Sequence, residues 1–348
     1  MKLDGTWTAI VTPMNADFSV NWEGLEKCVE FQISQGITGV VPVGTTGESP
    51  TLTWEEHTQV VDRVLAQCKG KCGVLAGAGS NSTSEAIVSA GHAVSSGAEA
   101  VLVVDCYYNG PSSRELRDEY YAVLAREFPN TSIVPYIIPG RSGTALACED
   151  LALLAAQYPN IATVKEATGD LERMAKTRSL IGDGFSIMSG DDDLTFKMMS
   201  DTRIRANGVI SVVSNVAPAA LQKMVKLASS GDLEGAGKMS EALAPLLGIV
   251  TVKVNNERVL HSGDKVTVSD KYRNPVAIKT LMSGLGLPSG PGRRPLGKMS
   301  SAGVKVVRDA VKQVWDNNPE VLQPASDFFG INIAARLADD SVWEALAL

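Results

Sequence analysis

The 348-residue sequence lacks the features that mark several classes of protein. No run of lysine or arginine exceeds two residues and the net charge is −7, which argues against nucleic acids and anionic membranes as partners. The longest apolar stretch, near 243–252, is too short to cross a bilayer, and residues 1–13 show no signal-peptide pattern. We therefore predict a cytoplasmic protein whose partners are small molecules or copies of itself.

Cysteine and histidine are also scarce and unpaired. The five cysteines are odd in number and scattered, which favours free thiols in a reducing compartment over a disulfide framework. His57, His92 and His261 each lack a second imidazole at ligand spacing. The acidic residues in 189–193 are more typical of a helix cap than of a cation site. We therefore assign no metal site.

What the sequence does contain is an alternation of short apolar runs with longer amphipathic segments, repeated eight times. Such runs are typical of strands buried on both faces. The predicted strands are 7–11, 39–43, 73–76, 100–104, 132–136, 161–165, 185–189 and 208–212. The predicted helices between and after them are 22–35, 54–68, 84–96, 114–128, 149–158, 171–181, 193–199 and 217–229. This count predicts an α/β fold, a (β/α)8 TIM barrel over residues 1–231.

Residues 232–348 follow a different pattern and are predicted as a mainly helical C-terminal region. Helices are expected at 233–247, 275–285 and 304–315, with an extended tail that has one amphipathic segment at 331–346. Alternating residues at about 250–270, with turn signals at Asn255-Asn256 and at 262–264, predict a small β-ribbon. Its valines at 252, 254, 266 and 268 form one apolar face, which we expect to pack on a neighbouring subunit.

Because the active site of a TIM barrel lies at the carboxyl ends of its strands, the residues there are the candidates for chemistry. Lys165 ends an otherwise apolar strand. A lysine desolvated in a barrel mouth becomes a nucleophilic amine suited to Schiff-base chemistry on a keto acid. The other strand ends supply further donors and hydroxyls: Thr45, Thr46, Tyr107, Tyr108, Tyr136 and Arg141.

Each candidate also has an ordinary structural explanation. Strand-end lysines are more often solvated or ion-paired, and a Gly-Thr turn is common in loops. Paired tyrosines often pack at a rim, and Arg141 could form a surface ion pair. The positions of these residues along the chain favour a shared site without excluding these alternatives.

In these motifs the sequence resembles the dihydrodipicolinate synthase and N-acetylneuraminate lyase family of Schiff-base aldolases. The resemblance covers roughly residues 4–245 and resumes near Asn274. The matching motifs, in order and at matching spacing, are Gly44-Thr-Thr-Gly-Glu48, Tyr107-Tyr-Asn109, Tyr136-x-x-Pro-x-Arg141-x-Gly143, Lys165-Glu-Ala-Thr-Gly169, Ser189-Gly-Asp-Asp192 and Gly208-Val-Ile-Ser211. Thr45-Thr46 with Glu48-Ser49 and Arg141 are typical of the synthase branch.

The resemblance implies a lyase without an organic cofactor, in which pyruvate forms a Schiff base on Lys165 and its enamine adds to L-aspartate 4-semialdehyde. The expected product is 4-hydroxy-tetrahydrodipicolinate, in lysine and diaminopimelate biosynthesis. Tyr136, Thr46 and Tyr108 would relay protons, with Tyr108 contributed across a dimer interface of a homo-oligomer, a dimer or tetramer. The implied substrate contacts are Thr45 and Thr46 for the pyruvate carboxylate, Arg141 for the semialdehyde carboxylate, and Gly190 and Ile210 for the pyruvate pocket.

Two departures from the family pattern leave the aldehyde open: Asp105-Cys106 replace a usual Thr-Pro, and Ile137 replaces a common Asn. One alternative is a lyase or dehydratase of the same family that acts on a sugar acid or a 4-hydroxy-2-oxo acid. Another is a catalytically silent binding protein on the same barrel, although such a protein need not retain the lysine together with both tyrosines.

The resemblance also suggests a feedback site for L-lysine at the dimer interface. The matching positions are Ser49, Trp54, His57, Asn81, Glu85 and Tyr107. Glu85 would hold the amino group of the ligand and Trp54 its aliphatic stem. Ser82 and Glu85 also match a helix capping box, which would use the same carboxylate.

Overall fold

The computed structural model describes residues 2–348, and its centre is a closed barrel of eight parallel strands. Each strand pairs with the next, and β8 pairs with β1 to close the barrel. The strands are β1 Gly5–Ala9, β2 Gly39–Val41, β3 Gly73–Gly77, β4 Ala100–Val104, β5 Ser132–Ile137, β6 Thr163–Glu166, β7 Ser186–Ser189 and β8 Gly208–Ser211. The predicted TIM barrel is confirmed, and every predicted strand overlaps an observed one.

Helices surround the barrel and follow the strands in sequence. They are Trp22–Ser34, Trp54–Cys68, Thr83–Ser95, Ser113–Glu115 continued by a π-helical turn Leu116–Tyr121 and by Ala122–Glu127, Cys148–Gln157, Leu171–Ile181, Thr195–Ser200 and Pro218–Ser229. Short helical turns lie at Ser49–Thr51, Pro139–Ser142, Asp192–Leu194 and Val213–Asn215. The predicted capping box at Ser82 is wrong, because the Glu85 carboxylate accepts a hydrogen bond from Ser80 Oγ (2.5 Å) instead.

The barrel interior is filled by side chains, and a cavity opens at the carboxyl ends of the strands. Trp7 occupies the opposite end, where it is 1% exposed. A Cβ atom at Gly39 or Gly73 would lie 2.3 or 2.5 Å from the Trp7 ring, so the indole requires glycine at both neighbouring positions. The packing of Trp7 closes the end of the barrel opposite the site.

The C-terminal region begins with the helix Leu233–Leu247 and shares one continuous hydrophobic core with the barrel helices. Its other helical segments are Val276–Leu285, Ser301–Asn317, Pro319–Val321, Gln323–Phe329, Ile333–Ala338 and Asp340–Glu344. The segment predicted at 331–346 is divided into two short helices, and Gln323–Phe329 was not predicted.

Between the first two of these helices, β9 (Thr251–Val259) and β10 (Lys265–Arg273) form the predicted ribbon. The predicted turn at Asn255-Asn256 is wrong, since both residues lie within β9 and only 260–264 turns. At the base of the ribbon, its apolar face is covered by the rest of the chain. Val252 is buried, and the Tyr272 hydroxyl oxygen accepts a hydrogen bond from the Ser300 amide at 3.0 Å. Only the outer part of this apolar face, which includes Val268 at 39% exposure, is accessible to another subunit.

Among residues 2–348 no helix has the length and apolar character needed to span a membrane.

Candidate active site

A cavity of about 200 Å3 opens at the carboxyl ends of the barrel strands, where the catalytic groups were predicted. Its wall includes six predicted site residues: Thr45, Thr46, Tyr136, Arg141, Lys165 and Gly190. The structure therefore brings together residues from the ends of four strands that are far apart in sequence.

Lys165 and Tyr136 form the centre of the cavity. They are direct partners in the register of β5 and β6, so both side chains point into the barrel at the same level. The Lys165 Nζ lies 4.0 Å from the centroid of the Tyr136 ring, and each residue is only 5% exposed. This places a buried amine against a buried phenol ring in the wall of the cavity.

Gly190 follows β7 and leaves room for the lysine chain. A Cβ atom at this position would lie 3.0 Å from Lys165 Cε and 2.8 Å from Ala167 Cβ. Any side chain would therefore press on Lys165, so the close approach requires glycine here. Gly190 was predicted to line a pyruvate pocket, and it lies in the cavity wall beside Lys165.

Thr45 and Thr46 lie on a tight turn that follows β2. The turn is flanked by Val43 and Glu48, whose φ angles of 48° and 60° lie in the left-handed region. Such values are rare for a β-branched residue and occur mainly where function needs a strained backbone. The Thr46 Oγ1 accepts a hydrogen bond from Asn274 Nδ2 at 3.0 Å, which leaves its own proton for another acceptor.

Arg141 and two residues of the ribbon lie together at the mouth of the cavity. Arg141 Nη2 donates to the Asn274 carbonyl oxygen at 2.8 Å, and Arg273 Nη1 donates to the Gly140 carbonyl oxygen at 2.5 Å. Desolvation is the main cause that lowers the pKa of the Arg141 guanidinium, and the charge of Arg273 is a smaller one. Lys271 lines the same mouth.

Asp191 is the one carboxylate in the cavity wall among the described residues. Burial, and after it the charge of Asp193, raise its pKa to about 6, while a hydrogen bond from the Gly169 amide and the charge of Lys165 oppose the shift. Neighbouring Asp192 accepts hydrogen bonds from the Val212 and Val213 amides at 2.8 and 3.0 Å. Within residues 2–348 no group of three His, Cys, Asp or Glu side chains is arranged to bind a metal.

Two predicted site residues lie outside the cavity wall of this chain. Tyr108 is 91% exposed, its φ is 75°, and it does not line the cavity. Ile210 packs in the barrel interior with Tyr136 and Met188, and Val212 lines the wall near the end of the same strand.

The residues predicted to bind lysine lie on neighbouring helices and the loops before them. The Trp54 and His57 rings meet edge to face at 5.4 Å, and Trp54 is 47% exposed. Burial is the main cause that lowers the pKa of His57 to about 4, so its ring is neutral at physiological pH. The Glu85 carboxylate lies beside Ser80, whose Oγ also lies 3.5 Å from Asn81 Oδ1. Tyr107 is half-buried and Ser49 begins the short helical turn Ser49–Thr51.

The two departures from the family pattern point away from the cavity. The Asp105 carboxylate is buried and accepts hydrogen bonds from the Tyr121 hydroxyl (2.6 Å) and the Leu146 amide (3.2 Å). Its burial raises its pKa to about 6. Ile137 is fully buried in the core cluster that contains the barrel helices. Neither residue can contact a substrate at Lys165.

Four residues of the site were missed from the sequence: Asn274, Asp191, Lys271 and Arg273. Asn274 was noted only as the point where the resemblance resumes, and Asp191 only as part of an acidic run. Strand alternation puts Lys271 and Arg273 on one face of the ribbon, but no local signal says that this face covers the barrel mouth.

Comparison with known proteins identifies the group to which this architecture is similar. The sequence model of the dihydrodipicolinate synthetase family matches residues 2–267 of this chain. The 4-hydroxy-tetrahydrodipicolinate synthase of Methanothrix thermoacetophila is 38% identical over 313 residues, which cover 90% of this chain and 97% of that protein. The enzyme of the same name from Methanocaldococcus jannaschii is 36% identical over 89% of this chain and 98% of its own.

Solved structures give the same result. The 4-hydroxy-tetrahydrodipicolinate synthase of Methylacidiphilum fumariolicum superposes with a TM-score of 0.82 at 32% identity, over 93% of this chain and 99% of that one. A dihydrodipicolinate synthase from Cyanidioschyzon merolae, solved with lysine bound, gives a TM-score of 0.79 at 31% identity, over 89% of this chain and 98% of that one.

Proposed function

The chain belongs to the dihydrodipicolinate synthetase family, and we propose that it condenses pyruvate with L-aspartate 4-semialdehyde through a Schiff base on Lys165. The observation that carries this proposal is the placement of the buried Lys165 amine against the Tyr136 ring in the wall of the cavity. The product is 4-hydroxy-tetrahydrodipicolinate, an intermediate of lysine biosynthesis.

In the first half of the reaction, Lys165 Nζ attacks the keto carbon of pyruvate and one water leaves, which gives an imine. Loss of a proton from the methyl carbon then gives the enamine. In this proposal Tyr136 moves these protons and Thr46 supplies the next hydroxyl of the relay. The Thr45 and Thr46 turn is suited to the pyruvate carboxylate because it offers hydroxyl donors at the cavity wall.

In the second half, the enamine carbon attacks the aldehyde carbon and the aldehyde oxygen takes up a proton. The amino group of the semialdehyde then attacks the imine carbon, closes the ring and releases the Lys165 amine. The Asn274 Oδ1 is buried and has no hydrogen-bond partner among the described residues, so it can accept from that amino group. Arg141 is suited to the carboxylate.

This assignment predicts the substrate profile. With pyruvate saturating, aspartate semialdehyde should give the highest kcat/KM among aldehydes, because the cavity offers both a cation and an amine acceptor. Sugar acids and 4-hydroxy-2-oxo acids, assayed for cleavage and for dehydration, are the comparison set. Faster turnover of any of them than of the semialdehyde pair would refute the assignment.

We also infer that a second copy of the chain completes the site in a cytoplasmic homo-oligomer. The supporting observations are the exposed Tyr108 with its strained backbone and the five free cysteines. Light scattering at assay concentration is the test, and a monomeric mass with full activity would contradict it.

A third part of the proposal is feedback by L-lysine at Glu85. Its carboxylate accepts from Ser80 Oγ but is not used by a helix cap, and the exposed Trp54 on the adjacent helix offers an apolar wall. We expect calorimetry to show binding that Glu85→Gln weakens about tenfold or more, since one charged hydrogen bond is lost. Glu55→Gln, an exposed carboxylate beside Trp54, is the matched control. Wild-type protein that binds no lysine at millimolar concentration would refute the site.

A further inference from the structure

The ribbon presents one of its faces to the active site. In an antiparallel pair, alternate side chains share a face, and the register here pairs Thr251 with Arg273 and Lys253 with Lys271. Thr251, Lys271 and Arg273 all line the catalytic cavity. The base of the ribbon therefore forms part of the wall around Lys165, although it lies far from that residue in sequence.

The positive charge on this part of the ribbon is not neutralised by the protein. Among residues 2–348, none of Lys271, Arg273 and Arg141 forms a salt bridge. Lys253 stands directly opposite Lys271, and like charges in that position destabilise a hairpin. Arg141 and Arg273 each donate to a backbone carbonyl, but no ion pair among the described residues accounts for the gathering of these cations.

Charges elsewhere on the ribbon are paired, which makes the contrast informative. Arg258 bonds Asp270 at 2.7 Å on the opposite face, and Lys265 bonds Glu257 at 2.8 Å toward the tip. Unpaired cations are confined to the base, where the ribbon meets the cavity. Four cations line that cavity against the single carboxylate of Asp191.

Arg141, Lys271 and Arg273 form a positively charged rim at the mouth of the cavity. This rim attracts anions and can bind a carboxylate through several donors. Arg141 and Arg273 each use one terminal nitrogen for a backbone carbonyl, so other N–H groups of each guanidinium stay available. The turn at Thr45 and Thr46 already serves the carboxylate of pyruvate in the proposed reaction. The rim is thus left for the carboxylate of the other substrate.

We propose that Lys271 and Arg273 of the ribbon are specificity residues that bind, together with Arg141, the carboxylate of the aldehyde substrate. This rests on the proposed function. The ribbon then acts in selecting an aldehyde that carries a carboxylate, and its opposite face stays available for packing on protein.

The test compares the two substrates in Lys271→Gln, Arg273→Gln and the double variant. Each single change should lower kcat/KM for aspartate semialdehyde about tenfold, mainly through KM, as expected for loss of one charged hydrogen bond. The KM for pyruvate should stay within about twofold of wild type, because the first half-reaction does not use the rim. Arg273→Lys should recover most of the loss, since it retains the charge.

Lys265→Gln is the matched control, because it removes a ribbon lysine whose charge is paired outside the cavity. It should change neither KM. Unchanged aldehyde kinetics in the double variant would overturn the proposal. Equal losses for both substrates in Arg273→Gln would also overturn it, since they would assign that residue a purely structural role through Gly140.

Borohydride trapping of pyruvate on Lys165 separates this proposal from the one on which it rests. If wild-type protein traps no pyruvate, the Schiff-base function fails. The rim is then tested with succinate, a dicarboxylate without a carbonyl, by calorimetry. Weaker succinate binding to the double variant than to wild type would support the rim, and equal or absent binding in both would overturn it.

Discussion

Lys165→Ala is expected to abolish covalent trapping of pyruvate and to lower turnover by at least about 10³-fold, which corresponds to roughly 4 kcal/mol of barrier. The reason is that the amine is the group that forms the imine, and the other lysine of the cavity wall, Lys271, is exposed at its mouth. Lys165 is the next-to-last residue of β6 and lies beside Tyr136 and Gly190, so its Nζ is held in the cavity while most lysines of the chain are solvated.

The measurement is intact mass after borohydride treatment with pyruvate, followed by peptide mapping. Lys279 is an internal control, because it is as buried as Lys165 but its Nζ donates to Glu48 Oε1 and to the Pro291 carbonyl oxygen. A mass gain of one reduced pyruvyl group on Lys165 and none on Lys279 is expected. An adduct on any other lysine, or none in the wild type, would remove the mechanism.

The barrel could be predicted because its signals are local. Strands such as Ala100–Val104 are short apolar runs covered on both faces, and the glycines and prolines between elements mark their ends. Counting eight such units is enough to name the fold. The same locality explains why Lys165 was found, since a cation at the end of an apolar strand stands out in the sequence.

The wrong predictions concern residues that have a competing hydrogen-bonding or strand-pairing partner elsewhere in the chain. Ser82 and Glu85 have capping-box spacing, but Ser80 provides a competing donor to the same carboxylate, which the motif cannot reveal. Asn255-Asn256 has turn composition, yet pairing with Val268 and Ser269 holds both residues in a strand. Cross-strand pairing outweighs local propensity in such cases.

The catalytic cavity was incompletely predicted for a related reason. The contribution of Lys271 and Arg273 depends on how the ribbon packs over the barrel, a contact between segments more than 100 residues apart. Asn274 likewise reaches Thr46 only through the tertiary fold. Strand alternation gives the faces of the ribbon but does not say which surface each face meets.

Another contact between segments far apart in sequence is the buried pair of Glu48 and Lys279. It joins the substrate-binding turn to the C-terminal region. Their Oε1 and Nζ atoms lie 2.5 Å apart, with side chains 0% and 3% exposed. The second Glu48 oxygen accepts from the Arg293 amide at 2.8 Å. Burial lowers the pKa of Lys279, and the charge of Glu48 opposes that shift.

Lys279→Met is expected to lower the free energy of unfolding by about 3–5 kcal/mol, because it leaves the Glu48 carboxylate buried without its cation. Equilibrium urea unfolding is the measurement. Glu48→Gln combined with Lys279→Met should cost less than the sum of the single changes, since the double variant leaves no unpaired charge. The exposed pair of Lys305 and Asp309, with the same 2.5 Å separation, is the matched control, and Lys305→Met should have little effect.

The pair should also affect catalysis, because Glu48 lies two residues from Thr46 in the turn that meets pyruvate. If the single variant Lys279→Met loosens that turn, the KM for pyruvate rises while trapping on Lys165 still occurs at saturating pyruvate. A variant that is destabilised but keeps its pyruvate KM would limit the pair to a structural role. Full stability in Lys279→Met would show instead that the turn is held by its other contacts, such as the Asn274 bond to Thr46.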